Sequence, residues 1–283
     1  MDAPRYCYRH PDRETGLSCS DCGRPICYEC MTPAAVGLRC PDHSGKPQGI
    51  QKVQRAVSGV GSRRPNAVTT TLIAINIAVY LAELALGGST NGTNNWIYEH
   101  GALFAKLCCV DGHVAGVGAG DWWRLITAAF LHYGPFHLAI NMYSLYWAGT
   151  LLEHVIGRWR FLLLYVASGI AGSAGALWVQ PNGLTAGASG AIFGILGGLF
   201  VLERRRHIST GGQILGLIVL NLVFTFALSN ISVGGHLGGL VGGVVLMFLM
   251  LQFRRSYAYS VACAAAIIVI SVVIAYAKVR NYS

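Results

Sequence analysis

From residue 67 onward, long apolar runs alternate with short polar breaks. The runs occupy about 67–86, 136–152, 160–179, 187–202, 212–229, 234–252 and 257–277. Each is close to the ~20 residues with which a helix crosses a bilayer, the second and fourth being shorter. The pattern predicts seven membrane helices, an all-α polytopic fold. The stretch between the first two runs, roughly 87–135, is too long for a simple connection. It carries Trp122 and Trp123 among Leu and Phe, as expected of a segment resting at the membrane interface.

Composition agrees with this pattern. The chain has 283 residues, 53% hydrophobic and 12% charged, with a mean hydropathy of +0.49. Soluble domains carry about 25% charged residues, so most of this chain belongs in lipid. Glycine, at 36 residues, is frequent enough to suit close helix–helix approach. The net charge of +9 does not imply nucleic acid, because the basic residues serve as orientation signals. Lys46, Lys52, Arg55, Arg63 and Arg64 precede the first run; Arg158 and Arg160 follow the second. Arg204, Arg205 and Arg206 follow the fourth, and Arg254 and Arg255 follow the sixth. The intervening turns 180–186 and 230–233 are uncharged. The positive-inside rule then places the N-terminus in the cytosol and, after seven spans, the C-terminus outside. The plasma membrane is the expected location. The opening MDAPRYCYRH has no apolar core of a cleavable signal peptide.

Six of the nine cysteines lie in the first forty residues. The pattern is Cys7-x2-His10, Cys19-x2-Cys22, Cys27-x2-Cys30 and Cys40-x2-His43. Eight ligands in two-residue-spaced pairs suit two tetrahedral zinc ions. A segment with so few large apolar side chains needs metal to fold. Disulfides are disfavoured, because they would leave the histidines unused in a reducing compartment. Both sites are fully ligated, so the two Zn2+ are structural and none serves catalysis. The spacing resembles the B-box class of zinc finger. That resemblance implies a cross-brace, with Cys7, His10, Cys27 and Cys30 on one zinc and Cys19, Cys22, Cys40 and His43 on the other. With no position open for a substrate, the finger is expected to bind a cytosolic protein partner or to regulate. A basic linker over 46–66, with a short helix near 50–57, connects finger to membrane core.

Polar residues inside apolar runs are costly and need a reason. The second run carries His137 and Asn141, four apart on one helix face; the fourth begins at Ser189; the sixth has His236 near its start. Runs two, four and six all descend in the same direction, so these groups come to one depth. Gly190, Gly194 and Gly198, with Gly235, Gly239 and Gly243, form small-residue stripes that let the two helices approach. His236 then reaches the Ser189 hydroxyl as general base. His137 and Asn141, with the backbone N–H of Ser189, are suited to an oxyanion. No carboxylate lies near His236 in these helices, so the expectation is a dyad. His132, just before the second run, is expected to be a structural hydrogen-bonding residue.

The chain from about 67 to 252 resembles the rhomboid intramembrane serine proteases. The resemblance is carried by Gly101-Ala102-Leu103, Trp123-Arg124, His132, His137-x3-Asn141, Glu153, Gly187-Ala188-Ser189-Gly190 and Gly235-His236-Leu237-Gly238-Gly239. It implies Ser189 as nucleophile, His236 as base and His137 with Asn141 in the oxyanion hole. It further implies a first loop held by Trp123 and Arg124, and Phe193 stacked on the catalytic histidine. Glu153 is implied to tie helix ends together. The expected organisation is a two-zinc finger over 1–45, the linker, a six-helix protease core over 67–252, and a seventh span over 253–283. The expected activity is cleavage of single-span membrane proteins in or near their transmembrane helix. The alternative is a catalytically silent relative that binds or escorts membrane helices. A transporter would require inverted repeats or several intramembrane acids, and only Glu83 is available.

Overall fold

The computed structural model describes residues 4–34, 37–44, 66–86, 95–110, 113–228, 231–252 and 256–280. The expected helix near 50–57, most of the basic linker, and Arg254 and Arg255 lie outside the described residues. The chain divides into two compact units, Met1–Arg55 and Ala56–Ser283.

The first unit is built from strand pairs too short to hold a core. Strand β1 (Tyr6–Cys7) pairs antiparallel with β2 (His10–Glu14), and β3 (Thr32–Pro33) with β4 (Leu38–Arg39). A single helical turn, α1 (Pro41–Ser44), follows. Its buried apolar residues are Cys7, Cys19, Cys27, Cys30, Cys40 and Ile26. With a single aliphatic side chain among them, hydrophobic burial supplies little stability, and the cysteines themselves are the interior.

In the second unit every apolar run forms a helix. The first is α2 (Ala67–Ala85). The loop that follows contains α3 (Trp96–Gly101), the hairpin β5 (Leu107–Val110) and β6 (His113–Ala115), and α4 (Arg124–Thr127). The second run is α5 (Gly134–Ser144), which passes through a π-helical turn, Leu145–Gly149, into α6 (Thr150–Ile156). Gly157, at φ +83°, turns the chain between α6 and α7 (Arg158–Val179), a conformation that favours glycine. Then come α8 (Ser189–Arg204), α9 (Gln213–Ala227), α10 (Val233–Gln252) and α11 (Tyr257–Val279). Four of these, α2, α7, α10 and α11, are long and apolar enough to cross a membrane on their own. The outward faces carry Leu81, Val219, Phe226, Ile270 and Val273, all exposed, as lipid-facing side chains are.

Helix α8 is the centre of the bundle: Ala191 through Leu199 are buried without interruption. Its partner α10 meets it backbone to backbone. A Cβ on Gly239 would overlap the carbonyl oxygen of Gly190, and one on Gly243 would overlap that of Gly194. The third glycine of each expected stripe behaves differently. Gly198 faces the side chains of Leu164, Met247 and Leu152, and Gly235 faces Ser232 and Ala176. The opposite side of α10 packs as tightly on α7, where Gly234 meets Gly175 and Gly238 meets Ala171. Helix α7 therefore joins the glycine-lined centre, beyond the two stripes read from the sequence.

Two polar devices hold the ends. The Glu153 carboxylate accepts from Val68 N (3.1 Å), Thr69 N (2.8 Å) and Thr69 Oγ1 (2.7 Å), satisfying donors at the start of α2 that no helical turn can satisfy. Helix α11 is fastened to α7 by Arg160 Nε donating to Ser260 Oγ (3.1 Å). At the other end of α11, Ala275 and Val279 are buried with Leu103, Val117 and Leu125 of the long loop.

Candidate active site and metal clusters

The long loop is pegged by Arg124, 1% exposed. Its guanidinium donates to the carbonyls of Glu99 (2.7 Å) and Ala102 (2.8 Å) and to Asp121 Oδ2 (2.9 Å), and lies over the Phe104 ring. Trp123 contributes from the surface, its indole N–H donating to the His100 carbonyl (3.0 Å). Both residues thus hold the loop, and Arg124 is the buried one.

Ser189 opens α8, where the first backbone N–H groups have no partner within the helix. His236 sits in the first turn of α10, and the glycine contacts bring the two starts together. His236 Nε2 lies 2.8 Å from Ser189 Oγ. The imidazole stacks on Phe193, centroids 4.2 Å apart and planes 22° apart. Its second nitrogen, Nδ1, lies 2.7 Å from Thr225 Oγ1, and that hydroxyl also donates to the carbonyl of Asn221 at 2.7 Å. Thr225 has no sequence signal of its own. A threonine bonding back to its own helix is ordinary in membrane helices, and α9 is read there only as an apolar run.

His137 and Asn141 lie one turn apart on α5. The backbone N–H of Tyr133 donates to His137 Nδ1 (3.2 Å), so the neutral ring keeps its proton on Nε2. That edge of the ring faces Gly187: a Cβ there would stand 2.8 Å from His137 Cε1, 3.1 Å from Nε2 and 3.8 Å from Ser189 Oγ. Asn141 is buried, and its amide donates to the His137 carbonyl (2.9 Å). An amide nitrogen carries two hydrogens, so one remains for another acceptor. Gly190, next to the serine, packs against Gly235 and Gly172.

His132 is fully buried; its ring lies against the Phe130 backbone and packs near His137, centroids 5.2 Å apart. Glu83 is also buried, its carboxylate beside the His132 backbone.

In the first unit the eight Cys and His ligands fall into two groups: Cys7, His10, Cys27 and Cys30; and Cys19, Cys22, Cys40 and His43. The donor atoms of each group lie within 4.8 Å of one another. In one, the Nδ1 of His10 is 3.3–3.9 Å from three sulfurs; in the other, the Nδ1 of His43 is 3.0 Å from Cys40 Sγ and 3.8 Å from Cys19 Sγ. Ligands 2.0–2.3 Å from a tetrahedral centre stand about 3.3–3.8 Å apart, so the donor sets suit zinc. The cysteines of these groups are free thiols. Burial pushes the Cys7 thiol up, but backbone N–H groups of Cys27, Arg9 and His10 outweigh it and bring it down to about 6. Cys19 is brought to about 6 in the same way by Cys40, Asp21 and Cys22. Burial and the neighbouring Cys27 and Cys7 push Cys30 up to about 11. Groups of this kind could hold a metal ion.

Fold and site together define a polytopic helical membrane protein whose polar centre is a serine–histidine pair at the starts of two glycine-packed helices. The Rhomboid domain family matches residues 119–253. The chain is 41% identical over 179 residues to the rhomboid protease GluP of Bacillus subtilis, covering 62% of this chain and 33% of that protein. It is 40% identical over 151 residues to the rhomboid relative YdcA of the same strain, covering 52% of this chain and 76% of YdcA. RHOMBOID-like protein 1 of Arabidopsis thaliana is 37% identical over 145 residues, 48% of this chain and 36% of that protein. The chain belongs to the rhomboid family.

Proposed function

We propose that the protein is an intramembrane serine protease cutting single-span membrane proteins in or near their transmembrane helix. The observation that carries this reading is the 2.8 Å contact between Ser189 Oγ and His236 Nε2. Ser189 Oγ attacks the scissile carbonyl carbon as His236 Nε2 takes its proton. The oxyanion is received by His137 Nε2–H, the spare Asn141 amide hydrogen and the Ser189 backbone N–H. Collapse breaks the C–N bond, and His236 returns the proton to the leaving amine. Water, deprotonated by His236, then releases the acyl group from Ser189. Membership of a family that includes a named protease supports the activity.

The remaining organisation follows the sequence reading: a cytosolic B-box-like finger over 1–45, a linker over 46–66, the protease core over 67–252 and a seventh span over 253–283. Two structural Zn2+ occupy the Cys/His groups, and the finger recruits a cytosolic protein partner. The N-terminus is cytosolic, the C-terminus outside, and the bilayer is the plasma membrane.

The test is labelling by a serine-directed fluorophosphonate, with cleavage of a reporter whose transmembrane helix unwinds easily. Wild type labels and cleaves; Ser189→Ala and His236→Ala insert and fold but do neither. Asn141→Ala slows cleavage by about 10²–10³. Cleavage retained in Ser189→Ala overturns the proposal.

A further inference from the structure

We infer that Thr225 is the positioning residue of the catalytic histidine, fixing which of its two nitrogens acts as base; this rests on the serine–histidine reading above. A histidine acts as base toward Ser189 only when Nε2 carries a lone pair, which requires the proton on Nδ1. In a hydrophobic bundle that choice is made by whatever Nδ1 meets.

What it meets is one hydroxyl. Thr225 Oγ1 lies 2.7 Å from Nδ1 and is 1% exposed as a residue. A threonine hydroxyl has a single hydrogen, and this one is directed to the Asn221 carbonyl, 2.7 Å away in the preceding turn of the same helix. With its hydrogen committed, Oγ1 offers only lone pairs and receives Nδ1–H. The chain of donors runs from His236 Nδ1–H to Thr225 Oγ1–H to the Asn221 carbonyl. It leaves the Nε2 lone pair facing the Ser189 O–H.

The arrangement also fits the chemistry that follows. When Nε2 takes the serine proton, the ring becomes a cation, and Nδ1–H donates more strongly to the same oxygen. Phe193 fixes the plane of the ring by stacking; Thr225 fixes its rotation within that plane. The dyad thus acquires a neutral third member where many serine hydrolases use a carboxylate. Its neutrality suits a site where a buried carboxylate would itself require a partner.

Thr225 belongs to α9, in which Ile214, Ile218 and Thr225 are the buried residues. This helix is otherwise held loosely, so the hydroxyl couples the seating of α9 to the state of His236.

The test compares Thr225→Val, which keeps the branched shape and removes the hydroxyl, with Thr225→Ser, which keeps the hydroxyl. For Thr225→Val we expect kcat on the transmembrane reporter, and the rate of fluorophosphonate labelling at Ser189, to fall about ten- to a hundredfold, part of the ~10²–10⁴ supplied by general acid–base catalysis. KM stays at the wild-type value. Thr225→Ser restores most of kcat. Wild-type kcat in a folded Thr225→Val overturns the inference, as does equal loss in both variants. If Thr225→Val does not fold, the Ser variant and Thr225→Ala are compared in its place, and equal activity of those two overturns it. Ser189→Ala and His236→Ala run alongside: activity in them sinks the dyad itself, whereas their silence with an active Thr225→Val sinks only this inference.

Discussion

The imidazole of His137 occupies the space that a side chain on Gly187 would need. A Cβ on Gly187 would stand 2.8 Å from the ring, and its φ of +128° lies where side chains are strained. Gly187→Ala must therefore displace either His137 or the segment leading into Ser189. The expected outcome is a fall in kcat of at least about tenfold with the bundle still folded, since backbone strain of this kind costs about 1–3 kcal/mol. Steady-state kinetics on the reporter beside a thermal melt in detergent check it.

Phe193 acts on His236 through its face. Phe193→Tyr keeps the ring and is expected to retain activity. Phe193→Leu keeps the volume and loses the stack, worth about 0.5–1.5 kcal/mol, which corresponds to a rate loss of up to about tenfold. Wild-type turnover in Phe193→Leu would show that the ring plane is held by other contacts.

The α8–α10 seam allows a sharp comparison between glycines. Gly239→Ala and Gly243→Ala drive a methyl into backbone carbonyls of α8, which cannot rotate away. Overpacking of this sort costs about 1–3 kcal/mol and separates Ser189 from His236. Both variants should lose thermal stability and activity together. Gly216→Ala, in α9, meets nothing within 4 Å of the added Cβ and should be neutral or slightly stabilising through helix propensity. Equal melting temperatures across all three would contradict a backbone seam.

Glu153 receives three donors from the start of α2. Glu153→Ala leaves the Val68 and Thr69 N–H groups and the Thr69 hydroxyl without that partner. A lost buried partner costs about 1–3 kcal/mol, so the thermal midpoint should drop by several degrees. The Ser189–His236 contact is made elsewhere, so kcat at low temperature should change little.

For the first unit, zinc analysis should give two equivalents per chain, and Cys27→Ser or Cys40→Ser should lose one each. A chelator should unfold this unit and leave reporter cleavage in detergent intact. Cys7 and Cys19 are depressed to about 6 in the folded state. A depressed thiol stabilises the fold above its unfolded range and loses that contribution as pH falls through its folded value. Acidification should therefore release the unit's zinc, read by zinc content across a pH series on the full chain.

Much of this architecture was legible in the sequence because hydrophobic runs and glycine spacing are strong one-dimensional signals. Ser189, His236, His137 and Asn141 stood out as polar residues in apolar surroundings. The eight zinc-type ligands were equally visible, and their grouping in space matches the alternating order of the pairs. Thr225 was not visible, since a threonine near a helix end has many ordinary explanations and its distance in sequence from His236 carries no period. The π-helical turn at Leu145–Gly149 was also hidden, because it leaves the apolar pattern unchanged and arises where Gly149 lies against Thr69.

Helices α8 and α10 touch through main-chain atoms, and this sets how the protein can vary over generations. Side-chain interfaces drift by trading volume between neighbours, one methyl at a time. A join of bare peptide planes has nothing to trade, so the spacing between hydroxyl and imidazole is inherited whole or lost. Diversity must then accumulate on the loosely held α9 and the lipid-facing surfaces, while Ser189 and His236 stay where the glycines put them.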